Sequence, residues 1–171
     1  MFKQQAIGTD QEVASDFARL VASLDYPLYV VTTTVETEST GCLIGFATQC
    51  SIHPPRFLAC ISKKNHTSLL AVRATVLAVH VVDNENKAIA DRFGGETGDE
   101  IDKFATVGWR SMAGAPVLTD CDRWFIGSII ERIDLGDHVG YLLEPILVQN
   151  GPASEQLTLQ QARDIKPGHA P

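Results

Sequence analysis

Strand-like segments follow one another along most of this chain, and long helices between them are few. From Leu28 onward, β-branched residues alternate with other side chains in the pattern of half-buried strands. Parallel strands need crossover connections of about a dozen residues, usually helices, whereas antiparallel strands need only short turns. The sequence therefore favours a mainly β fold, an antiparallel barrel with peripheral α-helices, over a doubly wound parallel sheet.

Local patterns predict the individual elements. Thr9 and Glu12 fit a capping box, and apolar residues then recur at helical spacing, which predicts an amphipathic helix on the core over about residues 10–25. Strands are predicted at 28–35, 41–48, 57–61, 76–82, 121–134 and 138–149, with a polar turn at 36–40 and short helices at 67–73 and 85–93. In the helix at 85–93, the inward residues are expected to be Ala88, Ile89 and Phe93.

The remaining segments are less regular. Residues 96–114 are expected to form an irregular loop with a helical turn near 101–104, and the tail from Gly151 to hold one short helix capped by Thr158 and Gln161. At 171 residues the chain is the size of one domain, with a core at about 26–149 and a tail at 151–171.

Charge and hydropathy exclude some classes of partner. A formal charge of −7 argues against nucleic acid, whose binding proteins usually present a basic face. No apolar run reaches the roughly 18 residues that span a bilayer, and the polar start lacks a signal-peptide core, so a cytoplasmic protein without membrane contact is predicted.

The four cysteines carry no recognisable spacing. They show neither a CxxC pair nor a nearby CxxH, so reduced, mostly buried thiols are predicted rather than a metal site or a disulfide framework. The catalytic patterns GxSxG, HExxH, GxxxxGK[ST] and GxGxxG are absent. A Cys–His hydrolase that uses Cys50 stays open, although no local signature favours it.

A polar stretch between two apolar segments has the composition of an anion site. Its hydroxyls, amide and cations, together with free N–H groups at a helix start, could bind a phosphate from several directions. The stretch consists of Ser62, Lys63, Lys64, Asn65, His66, Thr67 and Ser68. The alternative is a solvated polar turn that only caps a helix.

Two further segments could carry chemistry. Small and polar residues at a strand end could hold a flat heteroaromatic ring through backbone N–H groups and side chains; they are Ala47, Thr48, Gln49, Cys50 and Ser51. His138 follows the tight turn Gly136-Asp137 and could donate a hydrogen bond or a proton near a redox centre. The alternatives are an ordinary strand end and an ordinary hairpin turn, and His80 is predicted to be a satisfied core residue.

Taken together and in order, these segments resemble the flavin reductase-like family of FMN-binding split β-barrels. The landmarks, which span about residues 26–148, are Tyr29-Val30-Val31-Thr32, Gly45 to Ser51, Pro54-Pro55, Ser62 to Thr67, Phe93-Gly94, Asp102-Lys103-Phe104, Gly114-Ala115-Pro116 and Gly136-Asp137-His138. The resemblance implies a homodimer with FMN, or else FAD, near the subunit interface. Ala47 to Ser51 would line the ring and ribityl chain, Ser62 to Thr67 would bind the phosphate, Phe93 would lie beside the cofactor, and His138 would be catalytic.

The activity that the resemblance implies is hydride transfer from NADH or NADPH to flavin, which can supply a partner monooxygenase. Such chemistry needs neither a protein nucleophile nor a metal, because the flavin accepts the hydride and the protein binds and orients it. Two alternatives stay open: an FMN-containing electron carrier for a protein partner, and a domain that binds or senses a phosphorylated ligand without turnover.

Overall fold

The structure, a computed structural model, describes residues 9–95 and 101–166. The helices are α1 Asp10–Ala22, α2 His66–Ala71 and α3 Lys87–Gly95, the last preceded by a 3₁₀ turn at Asn84–Asn86. The strands are β1 Tyr29–Val35, β2 Glu38–Ile44, β3 Ala47–Ser51, β4 Arg56–Ser62, β5 Val76–Val81, β6 Trp109–Met112, β7 Ala115–Leu118, β8 Trp124–Asp134 and β9 His138–Gln149. Among the described residues, no helix is long and apolar enough to cross a membrane.

Seven of the strands form one sheet in the order β2-β1-β5-β8-β9-β4-β3, and every pairing is antiparallel. Its two edge strands, β2 and β3, are consecutive in the chain and are joined only by Gly45 and Phe46. Since so short a link cannot cross a flat seven-stranded sheet, the sheet must curl until its edges are neighbours. The predicted antiparallel split barrel is confirmed.

The hairpins explain several boundaries. The long β8–β9 hairpin turns at Gly136, whose φ of 98° suits a residue without Cβ, and β9 begins at His138 as predicted. The predicted turn at 36–40 is too long, because Glu36 adopts a φ of 57° and the chain reverses within two residues, so that β2 starts at Glu38. Residues 47 and 48 belong to the separate strand β3 rather than to the end of β2.

Other predictions need correction. The segment expected to be irregular, 96–114, contains strand β6, which pairs with the following strand β7 to form a second sheet. Residues 96–100 lie outside the described part, and the turn expected near 101–104 falls at 103–106. The strand predicted from residue 121 begins at Trp124. In α3 the buried positions are Ile89, Ala90 and Phe93, whereas Ala88 is exposed.

The tail joins the core instead of forming a helix. Leu157 accepts a hydrogen bond from Leu28 N–H at 2.9 Å and donates to the Val82 carbonyl at 2.8 Å, and its side chain is fully buried. Beyond it the chain runs in turns, in which the backbone and hydroxyl groups of Thr158 donate to Gln161 as the predicted capping pair. The tail therefore lies against the ends of β1 and β5.

Helix α1 has the predicted capping box, in which Thr9 and Glu12 bond reciprocally. The prediction that it lies on the core is wrong: Val21 is partly exposed, and the other residues of α1 are exposed. An amphipathic period shows that a helix has an apolar face, but it does not show which molecule covers that face.

His80 is the satisfied core residue that the sequence predicts. Its side chain is fully buried on β5, where Nε2 accepts from Leu118 N–H at 3.1 Å and Nδ1 lies 3.0 Å from the Val30 carbonyl. A ring that accepts at Nε2 must carry its proton on Nδ1, so the imidazole is neutral. Burial lowers the pKa of His80 to about 4.

This burial makes the stability of the protein depend on pH. The unfolded chain protonates His80 near its ordinary pKa of about 6.5, whereas the folded state resists protonation down to about pH 4, so stability is complete above pH 6.5 and falls below it. Between about pH 7.5 and pH 5 we expect a loss of about 2 kcal/mol in urea unfolding. A His80→Gln variant should lose most of this pH dependence, and equal wild-type stability at both pH values would contradict the assignment.

Candidate functional site

Two cavities adjoin at the link between β2 and β3. The smaller, of about 590 Å³, lies between the end of β4, the start of β9, α3 and the tail, and the larger, of about 830 Å³, lies along β3 and β4. Four residues line both cavities: Tyr26, Gly45, Phe46 and Cys60. The region where the barrel is split is thus also the concave region, and the candidate site is built there.

Three residues of the predicted anion stretch line the smaller cavity: Ser62, Lys64 and Asn65. The stretch is held in place by Lys63 N–H, which donates to the Asp137 carbonyl at 2.9 Å, and by Ser62 Oγ, which accepts from Lys64 N–H at 3.3 Å. A cation, a hydroxyl and an amide therefore converge on one end of this cavity, which is the donor set that a phosphate requires.

The other predicted residues of this stretch point elsewhere. Lys63 Nζ forms an ion pair with Asp134 at 2.8 Å, and His66 Nε2 lies 3.5 Å from Glu38 Oε1 in a separate polar cavity of about 530 Å³. The Thr67 hydroxyl, in a side chain that is only 1% exposed, shares a 3.0 Å hydrogen bond with Thr40. The structure therefore does not bring these three side chains into the smaller cavity.

Two backbone N–H groups at the start of α2, those of Thr67 and Ser68, are also engaged. Asn65 Oδ1 accepts from Thr67 N–H at 3.0 Å, and the Asn65 carbonyl accepts from Ser68 N–H at 2.9 Å. The helix has only six residues, so its dipole is small. The Thr67 and Ser68 N–H groups are therefore used within the turn, and the donors that line the cavity are the side chains of Ser62, Lys64 and Asn65.

His138 reaches the same cavity because β4 and β9 are paired. Ser62 and His138 are register partners at the adjoining ends of these strands, and both line the smaller cavity. His138 Nδ1 lies 2.7 Å from Asp137 Oδ1, and the imidazole packs against Phe46 with ring centroids 5.2 Å apart. The hydrogen bond from His138, with a smaller contribution from Lys64, lowers the pKa of Asp137. The carboxylate thus orients the imidazole and leaves Nε2 for a ligand.

The predicted ring-binding segment lies on the edge strand β3. Ala47, Thr48 and Gln49 line the larger cavity, whereas Cys50 and Ser51 line neither of the two. Within the described ranges β3 pairs only with β4, so its outer backbone groups can meet a planar ligand. Cys50 is exposed outside both cavities, and this placement gives a Cys–His hydrolase no geometric support.

Sequence reasoning missed part of the smaller cavity's lining. Phe93, predicted to lie beside the cofactor, is 1% exposed and does line it, but so do Cys42, Leu43 and Ile44 of β2. Leu159, Ala162 and Ile165 of the tail line it as well, and their spacing of three residues is the signal that could have found them. Burial raises the pKa of Cys42 to about 11, so its thiol stays protonated and serves as an apolar wall.

These residues fit a flavin mononucleotide. The smaller cavity has a polar, cationic end at Lys64 and Asn65 and an apolar wall at Phe93 and Ile44, as an amphipathic ligand with a phosphate needs. The adjoining edge strand supplies backbone groups for the hydrogen-bonding edge of a flat ring. No geometry of a bound flavin follows from this fit.

The fold and the site together define an antiparallel split barrel with a nucleotide-sized cavity at its opening. The chain belongs to the flavin reductase like domain family, whose model matches residues 21–164. This match includes Leu159 and Ala162 of the tail, which line the smaller cavity.

Three curated relatives are similar in sequence to this chain. "Probable flavin reductase" of Rhizobium meliloti is 31% identical over 64% of this chain and 36% of its own length. The "4-hydroxyphenylacetate 3-monooxygenase reductase component" of Klebsiella oxytoca is 29% identical over 82% of each chain. "FMN reductase (NADH) RutF" of Ancylobacter novellus is 28% identical over 73% of this chain and 71% of its own. The alignment with the Rhizobium protein thus spans about a third of that relative.

A solved structure shows the same fold. The NADH:FAD oxidoreductase SgcE6 of Streptomyces globisporus C-1027 superposes with a TM-score of 0.78 at 24% identity, covering 90% of this chain and 92% of its own. At this identity the superposition supports the split-barrel fold.

Proposed function

We propose that this protein is an FMN-binding oxidoreductase that transfers a hydride from NADH or NADPH to flavin. The observation that carries the proposal is the convergence of Ser62, Lys64, Asn65, Phe93 and His138, each predicted from sequence, on one cavity of about 590 Å³. The names of relatives support it, since one is named a probable flavin reductase and another an FMN reductase (NADH). FAD is the alternative flavin.

The residues of this chain would bind and orient the reactants. Lys64, Asn65 and Ser62 would hold the phosphate, the apolar residues of β2 and α3 would exclude water, and Ala47, Thr48 and Gln49 would contact the ring. Bound flavin supplies the redox chemistry, because it accepts the hydride. His138, held by Asp137, would act at the nicotinamide or flavin through Nε2, as a hydrogen-bond or proton donor.

The wider setting is also part of the proposal. The Klebsiella relative is named as the reductase component of a monooxygenase, and this supports a monooxygenase as the consumer of reduced flavin. We further propose a homodimer of single-domain subunits in the cytoplasm, where the free thiol of exposed Cys50 would stay reduced.

Flavin titration followed by NADH and NADPH oxidation tests the activity. We expect FMN fluorescence to be quenched on binding, and nicotinamide oxidation to require added or bound flavin. Protein that binds FMN but leaves it oxidised with both nicotinamides would instead be an electron carrier or a sensor. Failure to bind either FMN or FAD would refute every flavin-based function proposed here.

Replacement of His138 tests its catalytic role. We expect His138→Ala to lower kcat for NADH-dependent flavin reduction by roughly 10- to 100-fold, at the low end for general acid–base groups, with FMN affinity changed much less. Steady-state kinetics with saturating FMN measures this. His53→Ala is the matched control, because His53 is exposed and lines neither of the two adjoining cavities. Unchanged kcat in the His138 variant would remove the residue from the reaction.

A further inference from the structure

The C-terminal wall of the smaller cavity starts from a buried anchor and continues as a largely exposed segment. Leu157 is fully buried, and its backbone is hydrogen-bonded to two parts of the barrel. Beyond it, residues 158–165 run mostly in turns along the cavity, and Ala162 is the one buried residue among them. Leu159 lines the cavity although it is 38% exposed. We refer to residues 158–165 as the strap.

The other apolar walls of the cavity belong to the barrel or its core. Cys42 and Ile44 lie on β2, which is paired with β1 along its whole length, and Phe93 is buried on α3. Segments with few buried side chains open locally at a lower free energy than core strands and helices. Among the apolar walls, the strap is therefore the one that opens most easily.

Polar contacts at the surface hold the strap down. Near its start, the Gln160 side-chain amide donates to the Leu24 carbonyl at 2.9 Å, and Gln160 N–H donates to Asp25 Oδ1 at 3.0 Å. Near its end, Asp164 accepts a hydrogen bond from Lys87 Nζ of α3 at 3.0 Å, and this bond lowers the pKa of Asp164. Exposed contacts of this kind are individually weak, so the strap can release them without unfolding the barrel.

The end of the strap closes the cavity against α3. Ile165 and Gly94 both line the cavity, and a Cβ atom added to Gly94 would lie 3.4 Å from Ile165 Cγ2. Ala162 belongs to the core cluster that contains Phe93, and Ile165 packs against that cluster. The wall of the cavity is therefore complete only while the strap is docked.

We propose that the strap docks over a bound flavin and sets the rate at which the flavin leaves. This inference rests on the proposed function and deepens it, because a reductase that supplies reduced flavin to another enzyme must release the flavin in every turnover. Leu159, Ala162 and Ile165 would cover the ligand from the tail side. Lys87 would hold the strap down through Asp164, so loss of this ion pair should speed the departure of flavin.

Hydrogen exchange followed by mass spectrometry tests the docking directly. The N–H groups of Leu159, Ala162 and Ile165 are hydrogen-bonded in the docked strap. We expect these groups to exchange at least about tenfold more slowly in FMN-bound than in free protein, whereas Leu157 N–H in the buried anchor should exchange slowly in both. Equal exchange of the strap with and without FMN would show a fixed wall and overturn the proposal.

Lys87 supplies a matched pair of variants, because its ammonium group pairs with two carboxylates. Asp164 lies in the strap, whereas Asp91, at 3.1 Å from Lys87 Nζ, lies on α3 itself. Both carboxylates are exposed, so neither substitution should affect folding. At low salt, Asp164→Asn should raise the FMN dissociation rate about two- to fivefold, while Asp91→Asn, which removes the same charge, should change it less than about 1.5-fold.

The recovery of FMN fluorescence after dilution measures both dissociation rates. Equal rates for the Asp164 and Asp91 variants would show that the ion pair to the strap does not retain the flavin, and would contradict the proposal. FMN that binds without protecting the strap would remove the strap and leave the flavin function standing. Failure of both FMN and FAD to bind would instead remove the proposed function itself.

Discussion

Replacement of Lys64 by Ala is expected to weaken FMN binding roughly 10- to 100-fold, the loss of one charge-assisted contact worth about 1.5–3 kcal/mol. Lys64 lines the polar end of the smaller cavity with Ser62 and Asn65, and two N–H groups at the start of α2, those of Thr67 and Ser68, are already engaged. The ammonium group would therefore carry much of the phosphate affinity. Fluorescence titration at two salt concentrations measures the FMN affinity, and the difference in affinity between wild type and Lys64→Ala should shrink at high salt.

The chain provides a matched control one residue away. Lys63 has the same charge, but its Nζ pairs with Asp134, so Lys63→Ala should leave FMN affinity within about twofold. Riboflavin, which lacks the phosphate, should bind both variants as it binds wild type. Equal losses for FMN and riboflavin would show that Lys64 supports the ring or the fold and not the phosphate.

Replacement of Leu157 by Ala is expected to lower the free energy of unfolding by about 2–5 kcal/mol. Leu157 is fully buried in a core cluster with Leu28, Val82 and Phe93, and its backbone links β1 to β5 through two hydrogen bonds. The truncation leaves those hydrogen bonds in place and opens a cavity, so the loss of stability comes from lost packing. Urea unfolding followed by circular dichroism measures the change in the free energy of unfolding.

Leu159 serves as the comparison for Leu157. It is the same residue type two positions on, but it is 38% exposed and lines the smaller cavity. Leu159→Ala should cost less than about 1 kcal/mol of stability and should act mainly on flavin affinity. If both variants were equally stable, the tail would not be the part of the core that the structure indicates.

The β8–β9 hairpin could be predicted because both strands are long runs rich in apolar and β-branched residues and a tight turn at Gly136 separates them. The second strand, β9, begins at His138, as predicted. The sequence pattern does not predict the short strands β3, β6 and β7. The residues of β3 and β6 are mostly exposed and carry little burial signal, and β7, although fully buried, has only four residues. Helix α1 could be predicted from the helical spacing of its apolar residues, but its exposure to solvent could not, because exposure depends on how the rest of the chain packs.

The residue types of the candidate site could be predicted, but the directions in which their side chains point could not. Lys63 and Lys64 are indistinguishable in sequence, yet one faces Asp134 and the other the smaller cavity. Thr67 has a hydroxyl that could donate a hydrogen bond to a phosphate, but this hydroxyl is hydrogen-bonded to Thr40, which lies 27 positions earlier in the chain. Such choices follow from long-range packing, which one sequence without its fold does not reveal.

The tail has a consequence for the order of events during synthesis. Residues 157–165 leave the ribosome after strands β1 to β9, yet they complete the wall of the smaller cavity and hold the base of α1 about 135 residues upstream. Contacts over so long a sequence separation form late, because loop closure must come first. A nascent chain can therefore pair its sheet while its cavity is still open on one side, so tight flavin uptake should follow the docking of the tail segment onto the barrel.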